Sequence, residues 1–295
     1  MHKTLKLAFG SILVAFVVLG LKSLAYLATG SVALFSDAVE SIANIAAATV
    51  AVIVLKISAA PADENHPFGH SKVEYFAAVG EGVLIVIAAL LILREAYSAV
   101  LRPTPLTFSA MGLALNAAAL MLNGFWSWVL LRKGLVWQSP ALVAGGRHLF
   151  GDVLTSLGIL GGVILVWITG WQFLDSLLAA CVAIYILWSG WRIIRESIGG
   201  LMDEAVSTAT MGLIQSTIAE QANGAIEAHD VRTRYAGRHT FIEFHLIVPG
   251  DMNVSQAHKI CDRIELALKR AIEGSTVLIH VEPEHKAKPD NAIVF

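Results

Sequence analysis

Six runs of 20 or more mostly apolar residues occupy most of the first two hundred positions, at 7–28, 31–57, 73–97, 108–131, 145–169 and 175–194. About 20 apolar residues in a helix cross the hydrocarbon core of a bilayer. In lipid, every backbone polar group has to be satisfied within the segment itself, which leaves helices as the form for such runs. The runs therefore predict a bundle of six membrane spans. The chain is 56% hydrophobic and 15% charged, with mean hydropathy +0.67, whereas soluble domains carry about 25% charged residues. The first run is too long for the apolar part of a signal peptide and five similar runs follow, so it reads as a span. Lys22, near its far end, is expected to snorkel to the interface.

The pattern changes after Arg195. The last 92 residues hold 9 of the 21 Lys/Arg and 12 of the 23 Asp/Glu, which predicts a water-soluble domain. Apolar spacing gives a helix over 208–221, strands over 228–235 and 240–248, a helix over 254–271 and a strand over 276–281. The order α-β-β-α-β suits a small sheet with helices on one face. The expected domains are 1–203 and 204–295, joined by a hinge at Gly199-Gly200-Leu201-Met202-Asp203, with a polar, frayed end from Pro283 on.

With six spans the termini share a side. The loops on that side hold Lys3, Lys6, Lys56, Lys72, Arg132, Lys133, Arg147, Arg192 and Arg195, and the opposite loops hold Arg94 and Arg102. Basic residues favour the cytoplasmic side, so both termini are expected there, in the cell (inner) membrane. A net charge of −2 gives no reason to expect nucleic acid. Gly-x-x-x-x-Gly-Lys-Ser/Thr is absent, which argues against ATP as a driver. Cys181 and Cys261 form no CxxC and no disulfide framework.

Three clusters carry chemistry. Asp37, Glu40 and Asn44 lie three and four residues apart in the second run, and His148 and Asp152 four apart in the fifth. Each set shares a helical face. A charge at membrane depth costs about 2.5–3.5 kcal/mol on insertion scales. Carboxylate and imidazole together suit Zn²⁺ and its neighbours; interhelical hydrogen bonding is the plainer alternative, with Asp37 then serving the start of its helix. The loop Asp63-Glu64-Asn65-His66-Pro67-Phe68-Gly69-His70 permits a further cation site at Asp63, His66 and His70, or is simply a solvated turn. The tail holds six of the ten histidines, His229, His239, His245, His258, His280 and His285, with Glu282 nearby. They converge only if the fold brings them together. Glu74 and Glu81 share a face of the third run, Glu81 deeper.

These residues resemble the cation diffusion facilitators over nearly the whole chain. The likeness rests on Gly30-Ser31-Val32-Ala33-Leu34, on the loop from Asp63 through Lys72-Val73-Glu74, on His148-x-x-x-Asp152, and on His229-Asp230-Val231-Arg232-Thr233-Arg234. The resemblance implies a homodimeric metal/proton antiporter with a ferredoxin-like, metallochaperone-like cytoplasmic domain. It implies a transport site at Glu40, Asn44, His148 and Asp152, with Asp37 a candidate for extra charge. It implies a loop site at Asp63, His66 and His70, and a binuclear tail site at His229, His245, His258, His280 and Glu282. Lys72 and Asp203 are implied to interlock the dimer. Glu40 and Asn44 stand where the best-known zinc transporters carry an Asp pair, and Glu282 replaces an Asp.

The expected function is efflux of a divalent metal from the cytoplasm against protons, zinc first among Zn²⁺, Fe²⁺, Co²⁺, Cd²⁺ and Mn²⁺. The expected partners are that ion, protons, the lipid bilayer and a second copy of the chain. A membrane-anchored metalloenzyme and a metal sensor or scaffold that moves no ions are the alternatives.

Overall fold

The computed structural model describes residues 2–29, 32–101, 110–171, 173–288 and 292–295; within helices, the side chains of 32–40 and 159–164, among others, lie outside the description. The chain divides into two compact units, Met1–Ile198 and Gly199–Phe295.

The first unit is helical: α1 (His2–Thr29), α2 (Val32–Ser58), α3 (Val73–Leu101), α4 (Ala110–Val136), α5 (Pro140–Thr169) and α6 (Phe173–Leu201). At 1.5 Å per residue these 27–30-residue helices are roughly 40 Å long, more than the hydrocarbon core requires. Among the described residues, Lys3–Ala25, Val73–Leu101, Ala114–Val136 and Ser176–Leu201 are long and apolar enough to cross a membrane, and Asn44–Ser58 is a shorter apolar stretch. Punctuation between helices is chemical. Gln138 takes φ +49° after α4, and Pro140 opens α5, where its missing N–H costs nothing. Gly170, at φ +73°, follows the end of α5.

The helices are packed as membrane helices are. Large apolar side chains such as Leu13, Phe16, Leu84 and Trp188 point outward, while Ala8, Ala78, Ala89, Ala144 and Ala183 are buried. Small residues inside let backbones approach, since lipid supplies no hydrophobic drive for larger ones. α1 packs on α2 and α4, α4 on α5, and α3 on α5. At the α4–α5 contact a Cβ on Gly146 would lie 3.0 Å from the Leu131 amide nitrogen, and Ser127 Oγ donates to the Gly146 carbonyl at 2.8 Å. A Cβ on Gly158 would lie 3.1 Å from the Val182 side chain of α6; Gly161 and Gly162 lie outside the described side chains.

Two expectations need correction here. Lys22 is buried, with 3% of its surface exposed, so it does not snorkel outward. The glycine hinge is helical: α6 continues through Gly199 and Gly200 to Leu201, and the left-handed turn falls at Asp203 (φ +60°).

The second unit is the expected α-β-β-α-β with one addition. α7 (Thr208–Gln221), β1 (Glu227–Ala236), β2 (His239–Val248), α8 (Val254–Ala271) and β3 (Ser275–Pro283) are followed by a short β4 (Ile293–Val294). The sheet order is β3-β2-β1-β4, with β2–β3 parallel and the other pairs antiparallel. Ile214, Ile218, Ile260, Ile264 and Leu268 from the helices cover Ile242, Phe244 and Leu246 of the sheet. Asn253 and Gln256 close a reciprocal capping box at the start of α8. The end beyond Pro283 is not simply frayed: Ile293 and Val294 pair with Ala228 and Glu227 of β1, giving the short apolar segment a sheet edge to finish.

Candidate metal centres

In the membrane unit, α2 and α5 bring Asn44, His148 and Asp152 into one hydrogen-bonded set. Asn44 Nδ2 donates to Asp152 Oδ2 at 2.7 Å, and Asn44 Oδ1 lies 2.9 Å from His148 Nε2. The amide nitrogen is committed to Asp152, so its oxygen accepts from His148, whose ring proton is then on Nε2. Asn44 is buried. Asp37 and Glu40, seven and four residues before Asn44 on α2, lie outside the described side chains.

Asn44 and His148 also line a cavity with about 40 Å³ of space for water-sized molecules, shared with Ser11, Ser41, Glu81 and Asn123. One water needs about 10–15 Å³ on that measure, so roughly three fit. The sequence reading had noted Glu81 for its depth but had not joined it to this set. Polar residues inside apolar runs were the available signal. Glu74, two turns earlier on α3, is a brace: Ser58 Oγ donates to its Oε1 at 2.7 Å, and Ser139 Oγ donates to its Oε2.

The loop between α2 and α3 gathers Asp63, His66 and His70, whose donor atoms all lie within 4.8 Å of one another. Asp63 Oδ1 accepts from the backbone N–H groups of Asn65 and His66, at 3.0 and 2.6 Å, and sits 3.2 Å from His66 Nδ1. Asp63 Oδ2 lies 3.3 Å from His70 Nε2. The N–H of His66, first among the causes, holds the Asp63 carboxyl below its ordinary pKa. Gly69, at φ +83°, donates its N–H back to the His66 carbonyl at 2.9 Å and turns His70 toward the carboxylate.

In the tail, strand register does the gathering. His229 of β1 is in register with His245 of β2, which is in register with His280 of β3. The ring centroids are 5.2 and 5.0 Å apart. Glu282, two residues beyond His280 and so on the same face of β3, lies 3.6 Å from His229, 3.3 Å from His245 and 3.7 Å from His280. A bulge follows His229, where Asp230 takes φ +52° and joins His229 and His245 within 4.8 Å. Lys288 donates to Asp230 at 2.6 Å and holds that carboxyl below its usual pKa.

Glu227 was missed in the sequence. Its Oε1 accepts from His229 Nδ1 at 3.1 Å and from the Lys288 backbone N–H at 2.7 Å. A carboxylate on one imidazole nitrogen fixes the tautomer and turns the other nitrogen toward a metal. The Glu-x-His spacing, two apart on a strand, was the available clue.

His258 is exposed on α8 and pairs with Asp262 at 3.5 Å. His239 lies beside Arg238, and His285 follows β3 in a single 3₁₀ turn. Asp203 pairs with Arg234 at 3.4 Å within the tail unit, while Lys72 ends the loop before α3.

Residues 8–202 match the model of the cation efflux transmembrane domain, and 207–284 that of the cation efflux protein cytoplasmic domain. The cation-efflux pump FieF of Escherichia coli is 34% identical over 280 residues, covering 94% of this chain and 91% of the pump. The chain belongs to the cation diffusion facilitator family. As a cation diffusion facilitator it is a multi-pass membrane protein of the metal-cation efflux class, and the family is one of transporters rather than enzymes. The uncharacterized transporter sll1263 of Synechocystis is 44% identical over 273 residues, covering 92% of this chain and 88% of the relative. The facilitator's tail also aligns with a solved structure of the zinc form of CzrB: 44% identity, TM-score 0.28, 29% of this chain and 98% of that one. The metal-bound C-terminal domain of CzcD from Thermotoga maritima gives 26% identity and a TM-score of 0.26, over 28% and 100% of the two chains.

Proposed function

We propose that this facilitator exports a divalent cation from the cytoplasm in exchange for protons, with Zn²⁺ the first candidate and Fe²⁺, Co²⁺, Cd²⁺ and Mn²⁺ chemically admissible. The observation that carries the reading is the hydrogen-bonded set Asn44–His148–Asp152, held between two helices of an apolar bundle, with Asn44 and His148 facing a cavity that also holds Glu81. An imidazole, an amide oxygen and a carboxylate form a mixed N/O set suited to these cations.

Exchange follows from the hydrogen bonding. In the doubly protonated His148 ring, a cation taking Nε2 sends that proton to water while Nδ1 keeps its own, so cation and proton exclude each other at Nε2. When the cation leaves, a proton on Nε2 restores the Asn44 bond. Glu40, one turn before Asn44, supplies the second carboxylate of the transport site, with Asp37 in reserve. Access alternates between the two faces around this set.

In the same reading the domains are 1–203 for transport and 204–295 for the cytoplasmic tail, and the chain sits in the inner membrane with both termini on the cytoplasmic side. The chain works as a homodimer, interlocked at Lys72 and Asp203. The tail set His229, His245, His280 and Glu282, with His258, binds cytoplasmic metal and raises transport when filled, a linkage between sites. The loop set Asp63, His66 and His70 binds a further cation.

The test is Zn²⁺ flux into proteoliposomes holding only this chain, with and without an imposed proton gradient. Gradient-dependent flux lost in His148→Ala is expected. Flux that ignores the gradient and survives His148→Ala removes the antiport reading, and binding without flux favours a sensor.

A further inference from the structure

Glu81 and Glu74 lie seven residues apart on α3, on one face of the helix. Their surroundings differ. Glu74 has both carboxylate oxygens taken by the hydroxyls of Ser58 and Ser139. Glu81 Oε2 is sealed from solvent and has no hydrogen-bond partner among the described residues. A carboxylate left that way inside an apolar bundle is costly, and such groups face a cavity or an ion path.

Glu81 does face one. It lines the cavity that holds Asn44 and His148. Its two oxygens lie 3.8 and 3.9 Å from where a Cβ on Gly145 would be, so the missing side chain leaves it against the bare turn of α5 that precedes His148. The cavity also touches Ala8 near the start of α1, Ala51 toward the end of α2, and Ala141 at the start of α5. Those are the helix ends on the side of the Asp63–His70 loop. Glu81 therefore shares one cavity with Asn44 and His148 of the Asn44–His148–Asp152 set.

We infer that Glu81 is a cation-binding residue of the approach: its carboxylate takes the partly hydrated divalent cation in the cavity and passes it to Asn44, His148 and Asp152. The inference rests on the transport reading above. Room for roughly three waters allows the cation to keep part of its shell while one carboxylate oxygen replaces another part. No other acidic residue lines this cavity among the described residues.

The experiment compares wild type, Glu81→Gln and Glu81→Asp in proteoliposomes, reading initial Cd²⁺ and Zn²⁺ flux against cation concentration. Glu81→Gln keeps size and hydrogen-bonding capacity but removes the charge; it is expected to raise the apparent KM by about tenfold or more with a smaller change in maximal rate. Glu81→Asp, retaining the carboxylate, is expected to recover part of the loss, which a purely structural role would not produce. Anomalous diffraction from Cd²⁺-soaked wild-type crystals supplies a readout that needs no variant to fold: a peak within ligating distance of Glu81 is expected. An unchanged KM in Glu81→Gln overturns the inference, as does the absence of that peak when the Asn44–His148–Asp152 set is filled. If wild type shows no flux at all, the transport reading fails, and the diffraction result still decides whether Glu81 holds a cation.

Discussion

The Nδ1 of His229 lies 3.1 Å from Oε1 of Glu227, with both side chains buried and the Nε2 of the same ring facing Glu282 at 3.6 Å. Nε2 has no hydrogen-bond partner among the described residues, so the ring is oriented with one nitrogen held and the other available. Glu227→Gln keeps the packing but replaces the carboxylate with a weaker acceptor. Tail affinity for Zn²⁺ is expected to fall by about 10–100-fold, the usual effect of losing such a partner. Metal competition titrations on the full-length protein check this, with the membrane set serving as the unaffected reference.

Asn44→Asp tests the membrane set from the side of charge. Asn44 and Asp152 are 2.7 Å apart because one donates and the other accepts. Two carboxylates at that distance repel when both are ionised, so the metal-free variant is expected to melt at a lower temperature than wild type. Zn²⁺ offsets the repulsion, so the stabilisation on adding Zn²⁺ is expected to be larger in the variant. Thermal melts of solubilised protein with and without metal read both effects.

Gly146→Ala tests helix packing. The added Cβ would sit 3.0 Å from the backbone nitrogen of Leu131, an atom that moves only with α4. Overpacking of this kind costs about 1–3 kcal/mol, so the resistance of solubilised protein to unfolding is expected to drop. Gly80→Ala, where a Cβ meets nothing within 4 Å, is the matched control and is expected to behave like wild type.

His239 carries a pH prediction. Partial burial, then the neighbouring Arg238 charge, lowers its pKa from the ordinary 6.5 in the folded chain. The fold thus favours the neutral ring. Its contribution to stability is present above pH 6.5 and is lost as the pH falls through the lower folded value. His239→Gln is expected to flatten this part of the acid sensitivity of the tail, followed by melting temperature across that range.

The spans were legible because apolar runs long enough to cross a bilayer have few other solutions. The α-β-β-α-β order was legible from period alone. β4 was not: Ile293 and Val294 are too short to signal a strand and become one only against β1. Lys22 was misread because its helix position says nothing about which side faces the bundle. Glu227 went unnoticed because a single acid on a strand is ordinary until the histidine two residues on is seen to turn toward it.

The amino-acid order determined the membrane class, the α-β-β-α-β order of the tail and which residues share a face or loop, such as His148 with Asp152 and Asp63 with His66, because those depend on local period and spacing. Tertiary structure decided which groups share a site across the chain: Asn44 with His148 over 104 residues, His229 with His245 and His280 by strand register, and Glu81 with its cavity. The reason is physical. Local spacing sets only which face a side chain occupies, while helix packing and β-register set what that face meets.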